Sequence, residues 1–203
     1  MIEIIGILIL GYLLGSIPFA LLVGKWGHGI DIRQHGSGNL GTTNTFRVLG
    51  KKAGIIVLIG DLGKGAVASL APILLASELH PLFAGIAAVI GHIYPIFAKF
   101  KGGKAVATSG GMLLVTSPLL FLILLVSFLT TLRFSRMVSL SSIVAASIGI
   151  VAAVSIGIVQ HDWIVPTFFT VLALFVIFKH RDNIGRIRQG TESKIPLFDK
   201  EKQ

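Results

Sequence analysis

The sequence predicts an all-α integral membrane protein with seven transmembrane helices, two of them short, its N-terminus outside and its C-terminus in the cytoplasm. Three observations carry that expectation. The chain is 53% hydrophobic and only 13% charged, against about 25% charged residues in soluble domains. Its apolar residues fall in successive runs near bilayer length, and its lysines and arginines gather between alternate runs. The mean hydropathy is +0.86. With no cysteine in the chain, a disulfide framework, a thiolate nucleophile and a cysteine metal site are all excluded. The net charge of +9 matters less than its placement, which calls for a lipid bilayer as partner and for no nucleic acid.

A spanning helix needs roughly 20 apolar residues. The first run, 2–23, begins beside Glu3 and lacks a small-residue cleavage site after a short core, so it reads as a retained helix and not as a signal peptide. Runs 53–76 and 81–98 follow. The fourth, 105–132, holds about 28 residues, roughly 42 Å of helix at 1.5 Å per residue. That is too long for a hydrocarbon core of about 30 Å unless it tilts steeply. Ser117-Pro118 stands in its middle, and proline removes a helical hydrogen bond and clashes with the preceding turn. The last runs are 138–159 and 163–178.

Basic residues beside spans collect on the cytoplasmic side. They cluster at 25–52, 99–104, 133–136 and 179–202, whereas connectors 77–80 and 160–162 contain none. Six spans would put the last two clusters opposite the first two. Dividing the fourth run into short helices at 103–116 and 118–132 gives seven spans, and every cluster except the intramembrane Lys64 then shares one face. The alternative is a six-helix chain with a single bent fourth helix. One polytopic domain over 1–203 is expected, with a mobile tail from 194.

Three polar segments should meet at the cytoplasmic face. The first, 36–47, reads Gly36-Ser37-Gly38-Asn39-Leu40-Gly41-Thr42-Thr43-Asn44-Thr45-Phe46-Arg47. Glycines let backbone N–H groups approach a ligand, and Arg47 adds a cationic fork suited to phosphate. An ordinary loop of turn-forming residues is the plainer reading. The second contains Gly91-His92, Pro95 and Lys101-Gly102-Gly103-Lys104. Gly102 and Gly103 are expected to open a helix, whose first N–H groups lack intrahelical partners and favour phosphate; Lys99 and Lys101 are explained as positive-inside anchors. The third holds His180 and Asn183, three apart and so on one helical face, and closes with Gly190-Thr191-Glu192.

Elsewhere, Asp61 and Lys64 within the second span invite a salt bridge or a cavity lining. His92 reads as a packed, hydrogen-bonded histidine. Ser139, Ser141 and Ser142 start the sixth span, where they could cap it or reach the site; Ser142 is kept as a substrate contact. Gly6, Gly11 and Gly15 permit close helix packing. His28, His35, His80 and His161 have no metal-ligand spacing, so neither metal nor cofactor is expected.

Together these segments resemble the bacterial membrane acyl-phosphate:glycerol-3-phosphate acyltransferases, the PlsY family. The resemblance runs nearly end to end and includes Asp61-x-x-Lys64-Gly65. It implies transfer of an acyl group from acyl phosphate to the 1-hydroxyl of glycerol 3-phosphate, giving lysophosphatidic acid and inorganic phosphate, in the inner membrane of a bacterium with the site facing the cytosol. None of the six histidines has an aspartate five residues on, so the His-x4-Asp arrangement of other glycerolipid acyltransferases does not occur.

The catalytic set expected is Ser37, Arg47, Lys104, His180 and Asn183, with Gly36, Gly38, Asn39, Gly41, Thr43, Asn44, Gly102, Gly103 and Ser142 binding substrate. Arg47 and Lys104 would hold phosphate groups. Ser37, Thr43 and the backbone of 38–41 would complete the cradle, and His180 with Asn183 would orient glycerol 3-phosphate or stabilise the oxyanion. Either His180 or a substrate phosphate accepts the proton, the phosphate being preferred. Ser37 as an acylated nucleophile lacks an evident partner base. A transporter would show internal repeats and broken helices near the midplane, and none is found; a lipid-binding scaffold leaves Asn39, Asn44 and Asn183 unexplained. A monomer is favoured.

Overall fold

The computed structural model describes residues 1–195 and is helical, with no strand among them. The chain divides into two compact units, Met1–Pro118 and Leu119–Gln203.

In the first unit, α1 (Ile2–Gly15) stops short of Pro18, which has no N–H to continue a helix. A single turn, α2 (Phe19–Leu22), follows and runs into a π-helical turn at Val23–Gly27. Helix α3 (Thr42–Leu74) is interrupted at Gly50, whose φ of +82° and ψ of −173° are not helical. The interruption lays Phe46 against Gly54, where a Cβ would come within 2.4 Å of the ring. Helix α4 (Pro81–Ile93) begins with His80, whose Nδ1 accepts from the Leu82 N–H at 3.2 Å. It ends before Pro95, and α5 (Val106–Thr116) completes the unit.

Backbone-to-backbone approach at glycines joins these helices. A Cβ on Gly15 would stand 2.0 Å from the Ala88 carbonyl oxygen, and one on Gly111 only 1.9 Å from that of Leu62. Gly11 meets Ala84 in the same way, but Gly6, expected to share this role, has nothing within 4 Å.

The second unit contains α6 (Pro118–Ser135, its first residue at the boundary), α7 (Val138–Gln160), α8 (Ile164–Lys179) and α9 (Arg181–Arg188). The expected break is present: one helix ends at Thr116, Ser117 is extended (φ −156°, ψ 77°), and the next begins at Pro118. Among the described residues five helices are long and apolar enough to cross a membrane, and α8 with α9, bent by 53°, makes a sixth if counted as one span. Helix α5, with 11 residues, is shorter. The membrane-helical architecture stands, while the expected seven requires α5 and α8 each to count as a span.

Two expectations are corrected. Gly102 and Gly103 do not open a helix; residues 101–105 are irregular and α5 starts at Val106, because Ala105 adopts a left-handed φ of +58°. Thr42–Arg47 are not loop, since they form the first turns of α3. At the other end, Ile195 is 4% exposed and its N–H donates to the Arg136 carbonyl at 2.9 Å. The remainder of the segment expected to be mobile lies outside the described residues.

The glycine contacts give a paired test. Gly111→Val should lower the thermal midpoint of the detergent-purified protein steeply, at a cost of about 1–3 kcal/mol or more from overpacking, whereas Gly6→Ala should leave it unchanged.

Candidate active site

Polar groups inside an apolar slab must find partners within the protein, and in the first unit they do so around a buried carboxylate. Asp61 and Lys64 lie one turn apart on α3, with Lys64 Nζ 2.8 Å from Asp61 Oδ1 and both side chains about as buried as any in the chain. Lys64 also donates to the Ile17 carbonyl at 2.9 Å, in the break between α1 and α2, and lies 5.8 Å from the Phe19 ring centroid. His92 Nδ1 stands 3.5 Å from the same Asp61 oxygen and 3.2 Å from Thr108 Oγ1. The expected salt bridge and the expected packed histidine are therefore parts of one cluster. A small pocket opens above it, lined by Ile17, Pro18, Leu40, Lys64, His92 and Gly102 among others.

The first two polar segments border this pocket. Leu40 and Ile32 share a hydrophobic cluster with Ala20, Leu21, Val57 and Ala98, with Val48 and Leu49 packed against it. The loop before α3 is shaped from within by Asn44. Its Oδ1 accepts from the Ser37 N–H at 2.9 Å, and its Nδ2 donates to the carbonyls of His35 at 3.1 Å and Ile32 at 3.4 Å. Asn44, expected to touch substrate, is 2% exposed and spends its amide on the backbone. Gly36 takes a φ of +60°, and a Cβ there would meet Asn44 Oδ1 at 2.3 Å. Gly38 is also left-handed (φ +68°), and Gly41 caps α3. Ser37 and Arg47 are exposed; Asn39 and Thr43 are half-buried. Asp31, at the loop's start, accepts from Arg33 Nε at 2.9 Å, and this hydrogen bond holds its carboxyl down at about 2.

Gly102 and Gly103 owe their identity to packing against the end of α4. A Cβ on Gly102 would fall 2.0 Å from the His92 carbonyl oxygen, and one on Gly103 would fall 2.1 Å from His92 Nε2. The Gly103 N–H donates to the His92 carbonyl at 3.1 Å. Lys104, next in sequence, is half-buried.

In the second unit the third segment closes on Glu192, a carboxylate to which the sequence reading assigns no role. Glu192 Oε1 accepts from Ser139 Oγ and Asn183 Nδ2, and Oε2 accepts from Arg186 Nε, each at 2.7 Å. Burial alone would raise this carboxyl; the hydrogen bonds from Ser139, Asn183 and Arg186 outweigh it and hold the group below the ordinary glutamate range. Gly190, left-handed at φ +70°, ends α9 and turns the chain back so that Glu192 reaches its donors. The serine that arrives there is Ser139. Ser142 turns its hydroxyl onto the Val138 carbonyl of its own helix at 2.9 Å, and neither it nor Ser139 caps α7.

His180 occupies the bend between α8 and α9, is 4% exposed, and places Nδ1 2.8 Å from the Val176 carbonyl. A carbonyl only accepts, so Nδ1 carries a proton. Among the described residues no group of three or more His, Cys, Asp or Glu side chains could hold a metal ion.

Residues 5–190 match the family model for glycerol-3-phosphate acyltransferase. The chain belongs to that family. It is 89% identical to a glycerol-3-phosphate acyltransferase of Exiguobacterium sibiricum over 203 residues, 100% of this chain and 98% of the relative. A relative from Geobacillus kaustophilus is 57% identical, covering 93% of this chain and 94% of its own length. Among solved structures, the chain resembles PlsY (YgiH), an integral membrane glycerol 3-phosphate acyltransferase, in its glycerol 3-phosphate form, with a TM-score of 0.84, 37% identity and 94% of each chain covered. The lysophosphatidic acid form gives 0.82 and 35% identity over the same coverage. Family membership extends across both compact units and all three polar segments.

The Glu192 cluster predicts a pH dependence. A lowered carboxyl contributes stability that is complete above the unfolded value of about 4.3 and is lost as pH falls through the native value. Protection factors for 190–195, with exchange corrected for its intrinsic pH dependence, should therefore fall on acidification from pH 5 toward the native value, and Glu192→Gln should be weakly protected at every pH.

Proposed function

We propose that the protein transfers an acyl group from acyl phosphate to the 1-hydroxyl of glycerol 3-phosphate, releasing inorganic phosphate and forming lysophosphatidic acid, in a bacterial cytoplasmic membrane. The observation that carries this reading is the near full-length match to PlsY in its glycerol 3-phosphate form. It agrees with the first unit, where Leu40 of the glycine-rich loop and Gly102 of the lysine-bearing segment border one pocket, with Arg47 exposed and Lys104 half-buried on those same segments.

Acyl phosphate is a mixed anhydride with phosphate as its leaving group, so the carbonyl needs less activation than an ester would. The harder task is to hold two anions together, and positioning with electrostatic stabilisation supplies most of the acceleration. We assign Arg47 and Lys104 to phosphate groups. Ser37, Thr43 and the N–H groups of 38–41 complete a cradle whose shape Asn44 sets from beneath. His180 and Asn183 orient glycerol 3-phosphate or stabilise the oxyanion, with Glu192 fixing the Asn183 amide. The hydroxyl attacks the carbonyl carbon, the C–O bond to phosphate breaks, and the hydroxyl proton passes to a substrate phosphate. The Nδ1 of His180 rests on the Val176 main-chain carbonyl, so that nitrogen orients the ring and does not take up the proton.

Phosphate release by the purified protein from acyl phosphate plus glycerol 3-phosphate tests the reaction, and no release above the protein-free control would reject it. Arg47→Ala and Lys104→Ala should each cut kcat/KM by about a hundredfold. His180→Gln should keep residual activity with the acidic limb of its pH–rate profile, the limb set by protonation of a base, unchanged. A profile that loses that limb would make His180 the base.

We also propose seven spans, counting α5 and α8 separately, with the N-terminus outside, the C-terminus inside, and a monomer as the working unit. Because the chain has no cysteine, single replacements report topology cleanly. An impermeant thiol reagent added to whole cells should label Glu78→Cys and leave Lys194→Cys unlabelled until the cells are opened.

A further inference from the structure

Outside the residues assigned to substrate, the first unit contains a buried charged cluster that the reaction does not use. Asp61, Lys64 and His92 are 2%, 5% and 6% exposed. A salt bridge placed there for stability alone is poorly explained, because replacing a buried pair with apolar side chains of similar size is often neutral or stabilising. What distinguishes this cluster is where its ends lead. Lys64 reaches out of α3 to the Ile17 carbonyl, which in the break around Pro18 takes the Phe19 N–H at 3.2 Å in place of a regular helical donor. At the other end His92, held between Asp61 and Thr108, presents two surfaces to the 101–105 segment: its carbonyl takes the Gly103 N–H, and its ring leaves no room for a Cβ on Gly103. Lys64 and His92 also line the same pocket, facing Leu40 and Gly102.

We propose that Asp61, Lys64 and His92 are positioning residues for the acyl transfer: they fix the α1–α2 break and the 101–105 segment relative to each other, and so set where Lys104 stands against the loop at 36–41. The cluster acts through the main-chain groups of Ile17 and Gly103 and through the seat of the His92 ring against Gly103. Lys64 contributes two of its three donors, one to Asp61 and one to Ile17. Asp61 links Lys64 to His92, and His92 passes the constraint to Gly103, one residue from Lys104. The irregular stretch has left-handed residues on both sides, Lys99 and Phe100 before it and Ala105 at its end. With no helical ladder to hold it, its middle is tied to α4 by the main-chain bond from Gly103 to His92 and by the close seat of the two glycines.

The proposal rests on the reading that Lys104 binds a phosphorylated substrate, so its test has one readout with activity and one without. The double variant Asp61→Leu/Lys64→Met removes both charges, so its folding is not burdened by an unpaired one. In lipid nanodiscs its thermal midpoint should stay near wild type. Its KM for glycerol 3-phosphate should rise about tenfold with kcat changed far less, since a misplaced phosphate-holding cation removes binding common to ground and transition states. Hydrogen–deuterium exchange at the Gly103 amide, which neither substituted residue contacts, should speed up by about tenfold. Thr108→Val, a milder change, should move both readouts in the same direction by about threefold and covers the case in which the double variant does not fold. A folded variant with wild-type KM and wild-type Gly103 exchange would overturn the proposal. Failure of the wild-type protein to turn over the two substrates would instead strike the reading of the substrates, and the exchange at Gly103 would still decide whether the cluster positions this segment.

Discussion

A helix broken inside a bilayer exposes carbonyl and amide groups that water cannot reach, and each must be met by a side chain or by another piece of backbone. This constraint organises the first unit. The chain stops its first helix at Pro18, and Lys64 is brought from α3 to meet the Ile17 carbonyl. An ammonium in that position is itself too costly to bury alone, which calls for Asp61. Asp61 then has oxygen lone pairs left to satisfy, and His92 with Thr108 stands against them. One interruption in one helix thus draws polar residues from α3, α4 and α5 to a single spot. The pocket lies there because the interruption does.

Glycine serves two different needs in this chain, and confusing them changes the reading of the site. At Gly36 and Gly38 the backbone is left-handed, the conformation a tight loop needs to turn its amides. At Gly102 and Gly103 the need is space: the segment lies so close to the end of α4 that a methyl group would strike the His92 carbonyl or ring. The same run of small residues therefore reflects left-handed turns in the first segment and close packing in the second. Lys104 then owes its place to the packing of its neighbours and not to a helix start.

Much of the fold was legible because the bilayer imposes length and apolarity on any segment that crosses it. The helices starting at Pro118 and Val138 and the break at Ser117 follow directly from hydropathy and proline. What was not legible were partnerships set by tertiary geometry. Asn44 reads in sequence as a ligand-binding amide; only the fold reveals that three main-chain groups around it consume its donors and acceptor. Ser142 and Ser139 lie one turn apart, and hydrophobic periodicity does not say which faces Glu192. Glu192 looked like one acid in a basic tail, and its role appears only once Gly190 turns the chain back toward α7. His92 was read correctly as packed, yet its link to Gly103 needed coordinates.

The proposed chemistry explains why so much neutral scaffolding surrounds so few cations. Unit charges 5 Å apart interact by about 3 kcal/mol at an effective dielectric of 20, so two phosphate groups repel strongly enough to need several positive partners. Those partners repel each other in turn, and flexible cations would drift apart when the site is empty and demand reordering at each turnover. Holding them by their backbones avoids both costs. Asn44 shapes the loop before Arg47 without adding charge, and the Asp61–Lys64 pair, neutral as a whole, is tied through His92 to the segment that bears Lys104. Under the proposed assignment, a scaffold of balanced charge leaves Arg47 and Lys104 as the cations that meet the phosphate groups. That is the condition under which electrostatic preorganisation, and not a dedicated protein base, can dominate the rate.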